Sequence, residues 1–544
     1  MVKIGVFICD CGGSIRNIDF PAIKEKLSNA PDVAYTSLSS NLCLRQGQEA
    51  MLSCIRDGGL NRVVVAACSP ELKEHIFQQV LESAGLNPHL LSMANIREQC
   101  SWAHEGDVTG KALMQIGMAI NKARLLEPVG RREIPVCRDV LVIGGGLAGM
   151  NAAHELSRLG LKATLVEREP SLGGRLRELS GFYGLETSPG EMLESMVKAI
   201  SESGDIEALT SARITSVEGE LGNFSVKIKG KGKEITRNFG AIILATGYES
   251  FSYGIELAAN VITQSQFADL LKSPEKVPQK VGLFIDIADE HSRISTLAAL
   301  SNALALKEKT GSEVYIFCRN LKVDSDGAER LYREVRNKGV LFFKLGEKPP
   351  QISVDGDQLR VQVEDLLLGK EVVLSCDLLV MDEKPLPRRD PEILKLIPKV
   401  GLDSTGFFQE ENVHLYPIAS NRKGIFFAGG CHAELDTGSV LVDAANAALS
   451  AYELLSPGKI AVEVEKVKID PDKCRMCLTC IRTCPHDAIR VIQVNTERQT
   501  AQIVDLACDG CGICAAICPA RAIKFEGYSD EQMLSEIEAI GSAL

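Results

Sequence analysis

One pattern near the carboxyl terminus is written twice: Cys474-Arg-Met-Cys477-Leu-Thr-Cys480-Ile-Arg-Thr-Cys484-Pro, then Cys508-Asp-Gly-Cys511-Gly-Ile-Cys514-Ala-Ala-Ile-Cys518-Pro. Each copy is C-x2-C-x2-C-x3-C-P. Three thiolates at this spacing wrap one face of an iron–sulfur cubane, and pseudo-symmetry sends the fourth cysteine of each run to the other cluster. The expected ligand sets are therefore crossed. Cys474, Cys477, Cys480 and Cys518 hold one 4Fe-4S cluster, and Cys508, Cys511, Cys514 and Cys484 hold the other. Zinc is the competing occupant, but tetrahedral zinc takes its four ligands in pairs and has no use for a repeated Cys-Pro ending.

The stretch 489–504 between the two runs alternates enough to form a hairpin, and with it the tail resembles bacterial two-cluster ferredoxins, which act as wires. The whole chain has 544 residues, which predicts roughly three or four domains. Hydrophobic residues are 45%, charged 24% and aromatic 5%, a globular balance that excludes a disordered or fibrous chain. The formal charge of −12 argues against nucleic-acid or anionic-membrane binding. There is no apolar run of transmembrane length, and Asp10 interrupts the apolar start, so the expected location is cytoplasmic. Eighteen cysteines in such a setting point to metal or redox use rather than disulfides.

A second motif lies upstream. Asp139–Ile143 reads as a buried parallel strand, followed by Gly144-Gly-Gly146-Leu147-Ala148-Gly149 and a helix over 150–159. The glycines permit a tight turn, close approach to a pyrophosphate and close helix-to-strand packing, while the helix start offers partial positive charge. The next strand, 163–166, ends in Glu167, 23 residues beyond Gly144 and placed to accept from a ribose hydroxyl, with Arg168 beside it. Gly173-Gly174-Arg175, then Ala245-Thr246-Gly247 at the end of an apolar strand, then the strand Gly424–Gly430 with Gly429 and Gly430 at its end, complete the pattern. It resembles flavoproteins with two dinucleotide-binding domains and predicts FAD rather than NAD. A helix expected near Thr437 would stabilise negative charge on a reduced flavin ring.

The second glycine loop of such flavoproteins is missing. The middle strand 281–285 runs into Asp286, Asp289 and Glu290, which would repel a phosphate, so NAD(P)H binding there is disfavoured and electrons are expected from a protein partner. No C-x-x-C disulfide motif lies outside the tail, which removes a thioredoxin-reductase reading. Cys431, after the flavin strand, is read as packing at least as readily as flavin contact. Pro457 and Gly458 mark a linker, 230–234 a hairpin turn, and 530–540 an amphipathic helix expected to pack on its own domain.

Residues 1–135 read as a small α/β domain. Cys9 and Cys11, Cys43, Cys68 and Cys100 each follow an expected strand, and the carboxyl ends of parallel strands share one edge, where loops build sites. These five are expected around one iron–sulfur cluster, with the choice between Cys9 and Cys11 left open; Cys54, inside a helix, is read as packing.

Cys9-Asp-Cys11-Gly-Gly, Arg62-Val-Val-Val-Ala-Ala-Cys68-Ser-Pro-Glu and Asn95-Ile-Arg-Glu-Gln-Cys100-Ser-Trp102 resemble the amino-terminal domain of the HdrA family, the flavin-bearing component of heterodisulfide reductase, with the flavin and double-cluster motifs following in that family's order. The resemblance covers almost the whole chain. It implies an FAD and iron–sulfur electron-transfer subunit of a larger complex, an oxidoreductase whose substrate chemistry sits on a partner. The implied partners are heterodisulfide-reductase-like B and C, hydrogenase-like or dehydrogenase subunits, with room for a homodimer. In several members the flavin bifurcates electrons. This chain departs from the family: only Cys318 and Cys376 lie in 250–430, too few for a further cubane, which favours simple two-electron to one-electron conversion.

The expected architecture is α/β and multidomain: an amino-terminal α/β iron–sulfur domain (1–135), a Rossmann-like FAD-binding domain in two parts (136–275 and 400–456), a degenerate middle α/β domain (276–399) and a two-cluster ferredoxin domain (457–544). Competing readings are a self-sufficient NAD(P)H-dependent flavin oxidoreductase, which rapid bleaching by NADH would mark, and an assembly hub with structural cofactors.

Overall fold

Short apolar runs separated by amphipathic helices give parallel sheets covered on both faces, and the computed structural model contains three such sheets. It describes residues 2–179, 181–182, 187–230, 232–252, 260–285, 293–388, 391–397, 399–464, 466–496 and 498–541. The chain forms two compact units: Met1–Glu133 with Ala461–Cys484 and Ala488–Leu544, and Ile134–Ile460 with Pro485–Asp487.

In the first unit, strands Val33–Ser39, Ile4–Cys9, Arg62–Ala67 and Leu91–Asn95 lie in that order, all parallel. Every residue of Ile4–Cys9 is buried, as a central strand with helices on both sides requires. The chain leaves its two central strands toward opposite edges, so the crevice beyond Cys9 and Ala67 is the topological switch point, where open α/β sheets bind ligands.

The tail of this unit has its expected hairpin, Ile489–Asn495 with Arg498–Ile503. Val467–Ile469 pairs antiparallel with Ile523–Phe525. The pseudo-symmetry is visible in the backbone: Met476 and Leu478 are left-handed (φ 51° and 61°), as are Gly510 and Gly512 at the equivalent steps (72° and 77°), and Asp487 and Arg521 repeat the match. The helix Asp530–Gly541 lies not on the cluster domain, as expected, but on the amino-terminal helix Thr109–Arg124. Buried Gln532 donates to the Leu125 carbonyl at 3.0 Å, Asn121 to Ser535 O at 3.0 Å, and the Lys122 ammonium sits 4.1 Å from the Tyr528 ring centre. Polar groups that only the fold juxtaposes fix this docking, which is why apolar spacing alone misassigned it.

The second unit repeats one plan twice. Strands Ile425–Phe427, Ala241–Leu244, Val140–Ile143, Ala163–Val166 and Ile206–Leu209 form a parallel sheet with an antiparallel three-stranded flap over 212–239. Strands Val261–Thr263, Leu378–Met381, Lys280–Ile285, Glu313–Cys318 and Leu341–Lys344 form the second, with its flap over 351–376. Val261–Thr263 therefore belongs with the middle sheet, amino-terminal to the boundary at 275 expected from sequence; three residues carry too little periodicity to reveal their pairing. The strands flanking the expected turn, Asn223–Gly230 and Lys233–Phe239, pair antiparallel. Asp286, Asp289 and Glu290 lie outside the described residues.

Candidate functional site

Val140–Ile143 is a fully buried strand between two others, so it delivers Gly144 to the middle of the sheet edge. Gly144 has φ 112°, and a Cβ there would strike the Ala245 carbonyl; a Cβ on Gly149 would strike the carbonyl of Gly144. These two glycines lock helix Leu147–Arg158 against the strands. Gly146 differs, because nothing lies within 4 Å of where its Cβ would be. The helix begins without a side-chain cap, which leaves its first N–H groups for an anion. Gly173 donates to Gly145 O at 2.8 Å and props the Gly173-Gly174 turn on the glycine loop.

A cavity of about 240 Å³ opens here. Of the fourteen residues expected to hold flavin, Gly144, Gly146, Leu147, Ala148, Glu167, Arg168, Gly174, Arg175, Ala245, Thr246, Gly247 and Gly430 line it, while Gly149 and Gly429 stand behind its wall. The Glu167 carboxylate, largely buried, accepts from Gly145 N at 2.6 Å and Glu169 N at 2.8 Å, which fixes its orientation toward the cavity. The Arg175 guanidinium lies 4.8 Å from the Tyr248 ring centre, and burial raises the pKa of that phenol. A cradle that a side chain at Gly146 would fill, uncapped helix amides, a fixed acid and two arginines fit the pyrophosphate and ribose of FAD. Sequence reasoning missed Tyr248, although it follows Ala245-Thr246-Gly247 directly. It also missed Arg388, which reaches the same cavity from 140 residues further along and left no local signal.

The flavin strand ends in a network that the sequence did not disclose. Gly429 N donates to Asp443 Oδ2 at 2.6 Å; His432 Nε2 meets the same oxygen at 3.0 Å, and His432 Nδ1 meets Glu410 Oε1 at 2.6 Å. The His432 side chain is 4% exposed and stacks at 5.9 Å on Phe427, which stacks on Phe408. Burial disfavours its charge, but hydrogen bonds to Asp443 and Glu410 outweigh burial and raise its pKa to about 9. Cys431 points away from the cavity wall into the core, donating to Leu244 O at 3.1 Å, and burial pushes its thiol up to about 12. Packing, rather than flavin contact, is its role.

In the tail, one small cavity is lined by Cys474, Cys477, Cys480 and Cys518, with Met476 and Leu478 over it. Cys484 and Cys514 are buried in the apolar cluster of the tail, with Cys508 packed against it, and burial first, then the neighbouring thiols, push Cys514 up to about 12. Ala488 N donates to Cys484 Sγ at 3.4 Å and Ala522 N to Cys518 Sγ at 3.3 Å, the same step of each half. The shared thiol-lined cavity and the amide donors on Cys484 and Cys518 sulfur fit cubane clusters.

In the amino-terminal domain the structure gathers three of the five expected thiols. Cys11 N donates to Cys9 Sγ at 3.3 Å, and the Cys11 thiol lies close enough to those of Cys9 and Cys68 to perturb both. Interaction with its two neighbours raises the pKa of Cys11, and interaction with Cys11 lowers Cys9 to about 6 and Cys68 to about 7. Cys11, Gly12 and Gly13 are all left-handed, which curls the loop back over the sheet edge. Cys9, Cys11 and Cys68 follow the two central strands and meet at the switch point. Cys43 and Cys100 follow the outer strands. Cys43 sits half-buried in its loop, its carbonyl accepting from Gln48. Cys100, in the π-helical turn Arg97–Ser101, is wholly buried with its thiol 3.8 Å from Val108 O. Cys54 donates to the Tyr35 hydroxyl at 3.1 Å from its helix. Cys318 and Cys376 are buried in separate apolar clusters of the middle sheet.

Residues 138–383 match the pyridine nucleotide-disulphide oxidoreductase family, and 466–519 match the 4Fe-4S dicluster domain. The chain is similar to a CoB–CoM heterodisulfide reductase iron-sulfur subunit of Methanopyrus kandleri, of the A type, 29% identical over 657 residues with 99% of this chain and 98% of that protein covered. It is as similar to a protein of Archaeoglobus profundus described as like the A component of heterodisulfide reductase (29%, 99% and 98%). The A component of the H2:CoB-CoM heterodisulfide, ferredoxin reductase of Methanothermobacter thermautotrophicus matches at 29% with 90% of each chain covered. Among solved structures, thioredoxin reductase of Lactococcus lactis matches 59% of this chain and all of its own, at 18% identity and TM-score 0.42. No described helix is long and apolar enough to cross a membrane.

Proposed function

We propose that this chain is an HdrA-like component of a heterodisulfide-reductase-type complex, an oxidoreductase subunit with FAD and 4Fe-4S clusters, as its 29% identity over nearly its full length to such components supports, and that its residues divide the work as follows. FAD lies in the cavity bounded by Gly146, Glu167, Arg175, Thr246 and Gly430. When bound, it exchanges two electrons and lets them pass singly to the clusters. The chain's own task is to bind and orient it: uncapped amides at Leu147–Gly149 take the pyrophosphate, Glu167 a ribose hydroxyl, and Arg175 is steadied by Tyr248. Cys474, Cys477, Cys480 and Cys518 hold one tail cluster; Cys508, Cys511, Cys514 and Cys484 hold the other. A third cluster sits at Cys9, Cys11 and Cys68, with Cys43 or Cys100 completing the set after local rearrangement.

The observation that supports this reading is one cavity lined by twelve of the fourteen residues that a flavin motif predicts, in a chain where Cys474, Cys477, Cys480 and Cys518 also line a common small cavity. The partners proposed are cytoplasmic redox subunits of the heterodisulfide-reductase B and C, hydrogenase or dehydrogenase kinds, with two copies of this chain pairing in the assembly. Simple conversion between two-electron and one-electron transfer is favoured over bifurcation, because Cys318 and Cys376 are buried apart and add no wiring. The test is anaerobic isolation of the native protein with mass spectrometry of what accompanies it. Cysteine-rich or hydrogenase-like chains support the relay; a solitary protein whose flavin NADH bleaches rapidly would establish the self-sufficient oxidoreductase instead.

A further inference from the structure

His432 has a geometry that constrains its protonation without reference to any titration. Its two ring nitrogens each face a carboxylate oxygen, Glu410 Oε1 at 2.6 Å and Asp443 Oδ2 at 3.0 Å. Ionised carboxylates only accept, and a neutral imidazole has a single N–H, so both contacts are satisfied only by the imidazolium. The ring itself is shielded from solvent, 4% exposed and packed on Phe427. Three separate segments meet at this ring: the loop carrying Glu410, the end of the flavin strand, and the helix Thr437–Leu455 carrying Asp443.

The same Asp443 oxygen also takes the Gly429 N–H at 2.6 Å. Gly429 is left-handed (φ 71°), and a Cβ there would press on Ala148 of the glycine loop, so its turn is tightly specified. The next residue, Gly430, lines the flavin cavity, as do Thr437 and Val440 from the helix that holds Asp443.

We propose that His432 is a positioning residue for the flavin: its imidazolium, clamped between Glu410 and Asp443, holds Asp443 on the Gly429 amide and so keeps Gly430 and the start of helix Thr437–Leu455 in place around the cofactor. This rests on the assignment of the cavity to FAD. Loss of the proton leaves two half-buried carboxylates facing one neutral ring, which can donate to only one of them. The clamp then opens, and the flavin turn with it. Among the described residues, the charges that act most strongly on the ring are those of Glu410 and Asp443, and burial pushes the neighbouring Cys431 thiol up to about 12. With His432 held up to about 9, the clamp is closed at neutral pH and opens as pH rises through that value.

The experiment uses the full chain, reconstituted anaerobically with clusters and titrated with FAD, reading flavin fluorescence for affinity and midpoint potential by reductive titration. Wild type should bind one FAD per chain and lose affinity about tenfold between pH 7 and pH 10, with a midpoint near 9. His432→Gln should bind FAD about tenfold more weakly at pH 7, with a shifted potential and no alkaline midpoint. Glu410→Gln removes one of the two carboxylates, so its midpoint should move to lower pH, a displacement that a purely structural role would not cause. Exposed His414→Gln should behave as wild type. Tight FAD binding that is flat from pH 7 to pH 10 would overturn the clamp while leaving the cavity assignment intact, and this holds even if His432→Gln fails to fold. Failure of the wild type to take up FAD would overturn both.

Discussion

The crossed ligand sets of the tail make a prediction that iron counting can decide. Cys518 shares a cavity with Cys474, Cys477 and Cys480, 38 residues or more before it in sequence, whereas Cys484 is buried with Cys514 in the apolar cluster that Cys508 packs against. Replacing a cysteine by alanine leaves three ligands for one cubane and all four for the other. Cys477→Ala should therefore cost about four irons per chain, and so should Cys518→Ala. The double replacement separates the topologies. If both belong to one cluster, Cys477→Ala/Cys518→Ala still loses about four irons, because a cluster is lost only once; residues acting as a unit are not additive. Cys511→Ala/Cys518→Ala, which strikes both clusters, loses about eight. Iron and acid-labile sulfide analysis on anaerobically purified protein, with low-temperature EPR after dithionite reduction, gives the count and the number of distinct signals. A loss of about eight irons in the 477/518 pair and four in the 511/518 pair would show that each run holds its own cluster, and would refute the crossed reading together with the cavity geometry behind it.

Other outcomes follow from local geometry. Gly146→Val should fold normally, because nothing lies within 4 Å of its Cβ position, but should weaken FAD binding by roughly a hundredfold as the side chain fills the cradle; Gly149→Ala should instead cost stability, about 1–3 kcal/mol by overpacking against the Gly144 carbonyl, measured by urea denaturation of the flavin unit. Met476→Gly/Leu478→Gly relieves two left-handed backbones, worth about 1–2 kcal/mol each against about 0.5–1 kcal/mol of glycine entropy. Thermal loss of the cluster signal should occur later, and that cluster's potential should rise as solvent reaches it. The rise of His432 from 6.5 to about 9 means that its contribution is fully present below 6.5 and is lost as pH rises through 9, about 3 kcal/mol in all; amide exchange over 425–443 should accelerate across that window beyond the intrinsic base catalysis.

Several features were legible because the physics is local. A glycine that must be left-handed, an acid one strand further on, and thiols three residues apart are fixed by backbone geometry within a few residues. Gly144 to Glu167 and both cysteine runs could therefore be read as lines of text. The strand ends were readable for the same reason, since four apolar residues such as Val140–Ile143 have nowhere to go but a buried sheet. Where a residue acts through partners distant in sequence, the text is silent. His432 looks like any polar residue after a glycine pair until Glu410 and Asp443 are brought to its two nitrogens.

The amino-terminal cysteines mark the boundary between the two kinds of knowledge. Sequence placed five thiols at strand ends, but strand order decides which ends are neighbours. Because Ile4–Cys9 and Arg62–Ala67 are the central pair, Cys9, Cys11 and Cys68 converge, while Cys43 and Cys100 lie beyond the outer strands. The docking of Asp530–Gly541 on Thr109–Arg124, and the inclusion of Val261–Thr263 in the middle sheet, were likewise decided only in three dimensions. By itself the sequence determined the cofactor chemistry and the local turns that serve it, because these depend on residue type and short spacing. The tertiary structure decided which distant groups meet, because burial makes a hydrogen bond or a shared proton strong only after the chain has brought its partners together.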